Sequence, residues 1–181
     1  MNTPTIIQRL LWKDWRVLRT VWLMCGFGVT AINLTVLMVA SSLEGTGGFS
    51  AGFWMAVIWV PPIYVLASFA AMFSGEREEG TLVWLASLAP LFPTLFCSRV
   101  GFTVATGILL QLWLSATAAV LKPFDTGARK DVQENLIIMS FCLTEAIVWG
   151  LFWALQTSRP LNAILYAALT IIGVNMGSIF L

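Results

Sequence analysis

Five long apolar runs, separated by short polar segments, dominate the hydrophobic pattern of the chain. The runs cover approximately residues 17–40, 49–73, 100–121, 136–156 and 161–181. A helix needs about 20 apolar residues to cross the hydrocarbon core of a bilayer. The pattern therefore predicts an all-α fold, a polytopic transmembrane helix bundle of about five spans that forms one domain over residues 1–181. Because nothing polar follows the fifth run, we expect a C-terminally truncated chain that lacks a sixth span, or an end at the membrane boundary.

The segment before the first run predicts an N-terminal amphipathic surface helix over residues 3–20. Thr3 can cap this helix, and Pro4 suits its first turn. An apolar stripe recurs at steps of three and four residues along one face; it consists of Ile7, Leu11, Trp15, Leu18 and Trp22. Basic residues occupy the other faces, namely Arg9, Lys13, Arg16 and Arg19. The alternative interpretation is the charged flank of a signal anchor.

Composition and charge support the membrane assignment and exclude several kinds of site. Of the 181 residues, 59% are hydrophobic and 10% are charged, against about 25% charged in a soluble domain. The chain has no histidine, which excludes imidazole catalysis and imidazole metal ligands. Cys25, Cys97 and Cys142 are isolated and favour free thiols, so we expect no metal and no cofactor. A net charge of +1 argues against nucleic-acid binding.

The distribution of basic residues predicts the orientation of the spans. With the N-terminus inside, seven basic residues lie on the inner side: Arg9, Lys13, Arg16, Arg19, Arg77, Arg99 and Arg159. Three lie on the outer side: Lys122, Arg129 and Lys130. Cytoplasmic segments carry an excess of basic residues. We therefore expect a cytoplasmic (inner) membrane protein with its N-terminus in the cytoplasm.

Several residues inside the spans break the apolar pattern. Pro61 and Pro62 remove backbone donors from the second span and predict a kink, which is either a packing feature or a gating hinge. Asn33, Gln111 and Glu145 are intramembrane polar residues. Gly173 and Gly177 have the GxxxG spacing that permits close helix contact, which favours packing within the bundle.

Glu145 is the most costly of these residues, because it lies near the middle of the fourth span. A carboxylate at that depth must be neutralised, paired or hydrated. One hypothesis makes it a residue of a substrate path or a proton-linked residue. The alternative is a protonated or hydrogen-bonded contact between helices, with Gln111 or Asn33 as the partner.

A dense charge cluster lies between the second and third spans, in residues 75–99. Glu76, Arg77, Glu78 and Glu79 are followed by Gly80 and Thr81, then by apolar residues and by Pro90 and Pro93. This order predicts a polar turn and a short helix that lies flat at the membrane surface.

The cluster resembles a motif of the ABC type-2 exporter membrane subunits, the ABC-2 permeases. That family typically has Glu-Arg/Lys-Glu-x-Gly-Thr-Leu after its second span, followed by an apolar segment that ends near a proline. The matching residues are Glu76, Arg77, Glu78, Gly80, Thr81, Leu82, Leu85, Leu88 and Pro90. The residues Leu10–Arg16 are also similar to the start of such permeases.

The resemblance implies a non-catalytic permease domain that pairs with a separate cytoplasmic ATP-binding cassette ATPase subunit. It also implies a coupling helix within residues 75–99, with Glu76–Thr81 as the ATPase-coupling residues, and a second permease copy or homologue as partner. None of the three lysines is followed by serine or threonine, so the chain has no P-loop of its own. The alternative functions are a membrane scaffold without a translocation path and a proton-coupled secondary transporter that uses Glu145.

Overall fold

The computed structural model describes residues 3–42, 49–75, 92–121 and 128–179, and within these ranges the chain is helical apart from one short turn. We number the helices in chain order: α1 (Thr3–Ser42), α2 (Phe49–Phe69), α3 (Phe92–Leu121), α4 (Ala128–Gln156) and α5 (Pro160–Ile179). A π-helical turn, Ala70–Ser74, continues α2. The all-α prediction is thus confirmed for the part of the chain that the structure describes.

Four stretches are long and apolar enough to cross a membrane: Leu11–Thr35, Ala56–Ser74, Pro93–Val120 and Leu136–Gln156. They correspond to the first four predicted spans and indicate a multi-pass helical membrane protein. The apolar part of α5, Pro160–Met176, is shorter. The fifth span therefore stays a prediction.

Contacts between the helices show that successive helices run in opposite directions. Matched pairs advance together along α1 and α3, which are therefore parallel: Asp14 with Arg99, Trp22 with Thr106, and Thr30 with Trp113. Along α2 and α3 the order reverses, with Tyr64 near Thr106 and Phe73 near Phe96. By the same criterion α4 is parallel to α2 and antiparallel to α5. One end of the bundle consequently holds Asp14, Ser74, Arg99 and Thr157, and we call this end the N-terminal face.

Helix α2 forms the centre of the bundle. Of its apolar stretch 67% is buried, against 22–39% for the other three. A helix that is hydrophobic on all sides can be surrounded by lipid or by other helices, and α2 is surrounded mainly by other helices. Two glycines allow those neighbours to approach: a Cβ added at Gly107 of α3 would lie 2.5 Å from Cγ2 of Val65, and one at Gly150 of α4 would lie 2.8 Å from Cδ2 of Leu66.

Helix α1 packs against α3 through aromatic residues of the predicted apolar stripe. The Trp15 ring lies 6.4 Å from the Phe102 ring, and the Trp22 indole N–H donates a 3.0 Å hydrogen bond to the carbonyl of Thr106. No boundary separates the predicted surface helix from the first span, since α1 is one helix of 40 residues, about 60 Å long. Placement of its first turns on the membrane surface stays a prediction.

Three boundaries or contacts differ from the sequence prediction. The polar stretch before the fourth span becomes helical at Ala128, because α4 extends beyond its apolar part. Residues 92–99 of the predicted coupling segment belong to α3, and Pro93 lies in its first turn, where no intrahelical donor is needed. The packing role expected for Gly173 is wrong, because a Cβ added there meets nothing within 4 Å among the described residues.

Candidate functional site at the N-terminal face

A buried ion pair joins α1 to α3 at the N-terminal face. Nε of Arg99 lies 3.2 Å from Oδ2 of Asp14, and the two side chains are 5% and 8% exposed. Arg99 directly precedes an uncharged stretch, residues 100–121 of α3, and Asp14 lies six residues before the uncharged stretch 20–42 of α1. A buried charge without a partner is costly, and its opposite charge at close range offsets much of that cost.

The sequence contained a signal for this pair that the interpretation above did not use. Asp14 is the only acidic residue in α1, and Arg99 is the only charged residue in α3. One acidic and one basic residue, each the only one of its sign in its helix, precede the uncharged parts of two spans that run in the same direction. Such an arrangement places both charges at the same depth, where they can meet.

The π-helical turn anchors the end of α2 to the connection between α4 and α5. The N–H of Gly75 donates to the carbonyl of Ala70, five residues earlier, which is the hydrogen bond that defines the turn. The Ser74 hydroxyl is fully buried and donates a 3.0 Å hydrogen bond to the carbonyl of Ala154. The same oxygen lies 3.5 Å from Oγ1 of Thr157. Ser74, two residues before the charge cluster, is therefore fixed to α4 and to the turn before α5.

A cavity of about 180 Å³ lies beside the ion pair, between α1 and the π-helical turn. Its lining includes Lys13, Asp14 and Val17 from α1 and Ala71, Met72 and Gly75 from the end of α2. Beside this cavity, the Asp14–Arg99 pair connects α1 to α3.

The predicted coupling residues Glu76, Arg77, Glu78, Glu79, Gly80 and Thr81 lie outside the described residues. The described residues on either side of residues 76–91 are Gly75 and Phe92, and both lie at the N-terminal face. One flanking helix is anchored through Ser74 and the other through Arg99.

Glu145 makes a hydrogen bond between helices, with a partner that the sequence interpretation did not name. Nδ2 of Asn175 in α5 donates to Oε2 of Glu145 at 2.8 Å, and also to the carbonyl of Ile171 at 2.8 Å. The expected partners, Gln111 and Asn33, are wrong. A polar residue near the end of α5 is a natural partner because α4 and α5 are antiparallel.

The other predicted intramembrane residues are not joined to Glu145 by a hydrogen bond. Asn33 in α1 and Gln111 in α3 are both buried. Within the described ranges, Nδ2 of Asn33 and both amide atoms of Gln111 have no hydrogen-bond partner in the protein. Pro61 and Pro62 are buried in α2, which continues through them as a helix and ends in the π-helical turn. Their role as a hinge stays a prediction.

No protein-family model matches the sequence, and no curated protein or solved structure matches it either.

Proposed function

We propose that the chain is the membrane-spanning permease subunit of an ATP-binding cassette exporter. It moves a substrate across the cytoplasmic membrane with ATP hydrolysed by a separate subunit, and a second permease copy completes the path. The observation that carries the proposal is the anchoring of both helices that flank residues 76–91. This segment contains the motif that resembles the ATPase-coupling part of ABC-2 permeases.

The contacts at the N-terminal face provide a route from the segment to the spans. A displacement of residue 76 acts on Ser74, whose hydrogen bond to Ala154 passes it to α4 and to the turn before α5. A displacement of residue 91 acts on α3, and the Arg99–Asp14 pair passes it to α1. Because α2 lies at the centre of the bundle, movement of its end affects the packing of its neighbours.

The acidic and basic residues of Glu76–Glu79 are suited to recognition of a charged surface on the ATPase. Complementary charges across an interface fix its register and exclude wrong partners. The charge cluster then supplies the binding energy, and the two helices that flank it, α2 and α3, move in response.

The proposal is tested by purifying the tagged chain in nanodiscs and measuring association with an ATP-binding cassette ATPase and stimulation of its ATP hydrolysis. The test variant is Arg77→Glu with Glu78→Arg, and we expect it to lose both association and stimulation. Lys130→Glu with Glu134→Lys is the matched control, because it reverses one pair of charges beside the opposite end of the bundle and should retain both. Absence of an ATPase from the purified material, or unchanged association of the test variant, contradicts the proposal.

The Glu145–Asn175 hydrogen bond favours a second candidate, a proton-coupled secondary transporter. A carboxylate within a span that bonds to a neighbouring helix can change its partner when it gains a proton. This candidate predicts proton flux in proteoliposomes without ATP, and loss of that flux in Glu145→Gln. The exporter predicts no such flux. If neither proton flux nor ATPase association is found, the membrane scaffold is the remaining candidate function.

A further inference from the structure

We propose that the outer face of α1 near its N-terminus binds the head group of an anionic phospholipid. The face, which we call the basic face, consists of Arg9, Lys13, Arg16 and Arg19 together with Trp12. This inference goes beyond the proposed function and does not depend on it.

The four cations share one side of α1. Arg9, Arg16 and Arg19 are turned away from the bundle, and Lys13 lies at the edge of this side, where it also lines the cavity at the N-terminal face. At 100° per residue they fall within an arc of about 120°, roughly opposite Leu18. Leu18 is buried in the core, whereas all four basic side chains are exposed. Because α1 packs on α3 with the opposite side of the helix, these basic side chains are exposed on the surface of the bundle.

Within α1, no carboxylate lies on the basic face. The one acidic residue of α1, Asp14, lies on the side of the helix that faces α3, where it pairs with Arg99. Because this carboxylate does not lie on the exposed side, that side carries four positive charges within 11 residues. Such a cluster attracts an anionic membrane surface.

The membrane-proximal part of the basic face, Arg16 and Arg19, matches the level of phospholipid phosphates. Residues 20–39 of α1 contain no charged residue, and 20 residues at 1.5 Å each span about 30 Å, the thickness of the hydrocarbon core. When this stretch crosses the hydrocarbon, Arg16 and Arg19 lie in the head-group layer. Lys13 and Arg9 lie about 10 and 16 Å from the hydrocarbon boundary along the helix, on the water side.

An open groove of about 590 Å³ adjoins the basic face and shares Arg9 and Trp12 with it. Its other lining residues are Gln8, Leu11 and Trp15. Trp12 is 60% exposed, and indole rings favour the interface between membrane and water. The groove thus places an arginine that can bind a phosphate beside apolar surface.

The experiment compares lipid binding in nanodiscs made from phosphatidylcholine and phosphatidylglycerol, with retained lipids identified by native mass spectrometry. We expect the unaltered protein to retain phosphatidylglycerol preferentially, and Arg9→Gln/Lys13→Gln/Arg16→Gln to reduce that preference roughly tenfold to one hundredfold. This range corresponds to about 1.4–3 kcal/mol, in line with the ordinary contribution of a basic residue at an anionic surface. The matched control, Lys122→Gln/Arg129→Gln/Lys130→Gln, removes the same charge beside the other end of the bundle and should retain the preference.

Two further measurements keep the inference testable when the triple variant does not fold. In the unaltered protein, the preference should weaken as salt is added, and the single variants Arg9→Gln and Arg16→Gln should each reduce it. Glycerol phosphate and inorganic phosphate should compete poorly, because they lack the acyl chains that hold a phospholipid in the bilayer beside the basic face. Efficient competition by these anions, equal losses in both triple variants, or no preference for phosphatidylglycerol overturns the proposal.

Discussion

At the scale of single residues, the Asp14–Arg99 pair is the contact whose loss should be most costly. Removal of one partner leaves the other charge buried without compensation, which typically costs about 3–5 kcal/mol. We therefore expect Asp14→Leu and Arg99→Met to destabilise the protein by amounts of this order. The double variant should be closer to the original stability, because it leaves no buried charge.

Unfolding of the four proteins by titration with sodium dodecyl sulfate, followed by circular dichroism, measures these changes as a double-mutant cycle. Replacement of Arg16, an exposed basic residue of the same helix, by methionine is the control and should change stability little. If the double variant loses the sum of the two single losses, the residues do not interact.

The Glu145–Asn175 hydrogen bond predicts a loss of stability that increases from Glu145→Gln to Glu145→Leu. Glu145→Gln retains a side-chain oxygen that can accept from Asn175, so we expect a loss below about 1 kcal/mol. Glu145→Leu leaves the amide donor with only its second acceptor, the carbonyl of Ile171, and should cost more. In membrane proteins such bonds average about 0.6 kcal/mol in double-mutant cycles. The same unfolding titration ranks the variants, and equal stability of Glu145→Leu and Glu145→Gln would show that the bond is not stabilising.

The residue scale also shows where the sequence was insufficient. The depth of Glu145 within the fourth span can be read from the apolar pattern, but its partner depends on how α4 and α5 pair. Arg99 counted only as a basic residue of the inner side, and Asp14 was not singled out, because the sequence does not reveal that α1 and α3 are in contact. Partner identity is a property of helix packing, and hydropathy carries little information about it.

At the scale of helices, packing around α2 depends on the glycines that face it. We expect Gly107→Ala to destabilise the protein by about 1–3 kcal/mol, because the new methyl would meet Cγ2 of Val65, whose β-branched side chain has little rotamer freedom. Gly150→Ala should cost less, because its closest neighbour is the end of the more flexible Leu66 side chain. Thermal unfolding in detergent measures both.

Gly28→Ala and Gly101→Ala are the matched controls. Nothing lies within 4 Å of a Cβ added at either position among the described residues. Alanine favours a helix over glycine by about 1 kcal/mol in water, so these variants should be neutral or slightly more stable. A loss of stability in Gly101→Ala equal to that in Gly107→Ala would contradict the proposed packing.

The existence of the helices could be predicted from the sequence, whereas several of their ends could not. The first four apolar runs each correspond to a helix, because the bilayer requires a minimum apolar length. The ends depend on local backbone hydrogen bonds rather than on hydropathy. Helix α4 therefore begins at Ala128 within a polar stretch, α3 begins at Phe92 before an isolated arginine, and α2 ends in a π-helical turn that no sequence pattern announced.

At the scale of the whole molecule, the alternating helix directions decide which connections share a side of the membrane. The start of α1 at Thr3, the helix ends at Gly75 and Phe92 and the turn at 157–159 belong to the N-terminal face. The helix ends at Ser42, Phe49, Leu121 and Ala128 lie at the opposite end. The excess of basic residues at the N-terminal face makes the cytoplasm its expected side. The exporter hypothesis requires this orientation, since ATP is available to its partner only there.

Labelling of single cysteines in cells tests this arrangement. In a protein whose three native cysteines are replaced by serine, we expect cysteines at Gln8, Glu79 and Ser158 to be protected from a membrane-impermeant maleimide. Cysteines at Thr46 and Asp125 should react, because their connections emerge at the opposite end. Permeabilised cells provide the control, since all five positions should then react.

Reaction of Glu79→Cys in intact cells would place the charge cluster outside, where no ATPase has access to it, and would exclude the exporter while leaving the alternating helix directions intact. Reaction of both Thr46→Cys and Glu79→Cys in intact cells would instead contradict a membrane-crossing α2, because the two positions flank the opposite ends of that helix.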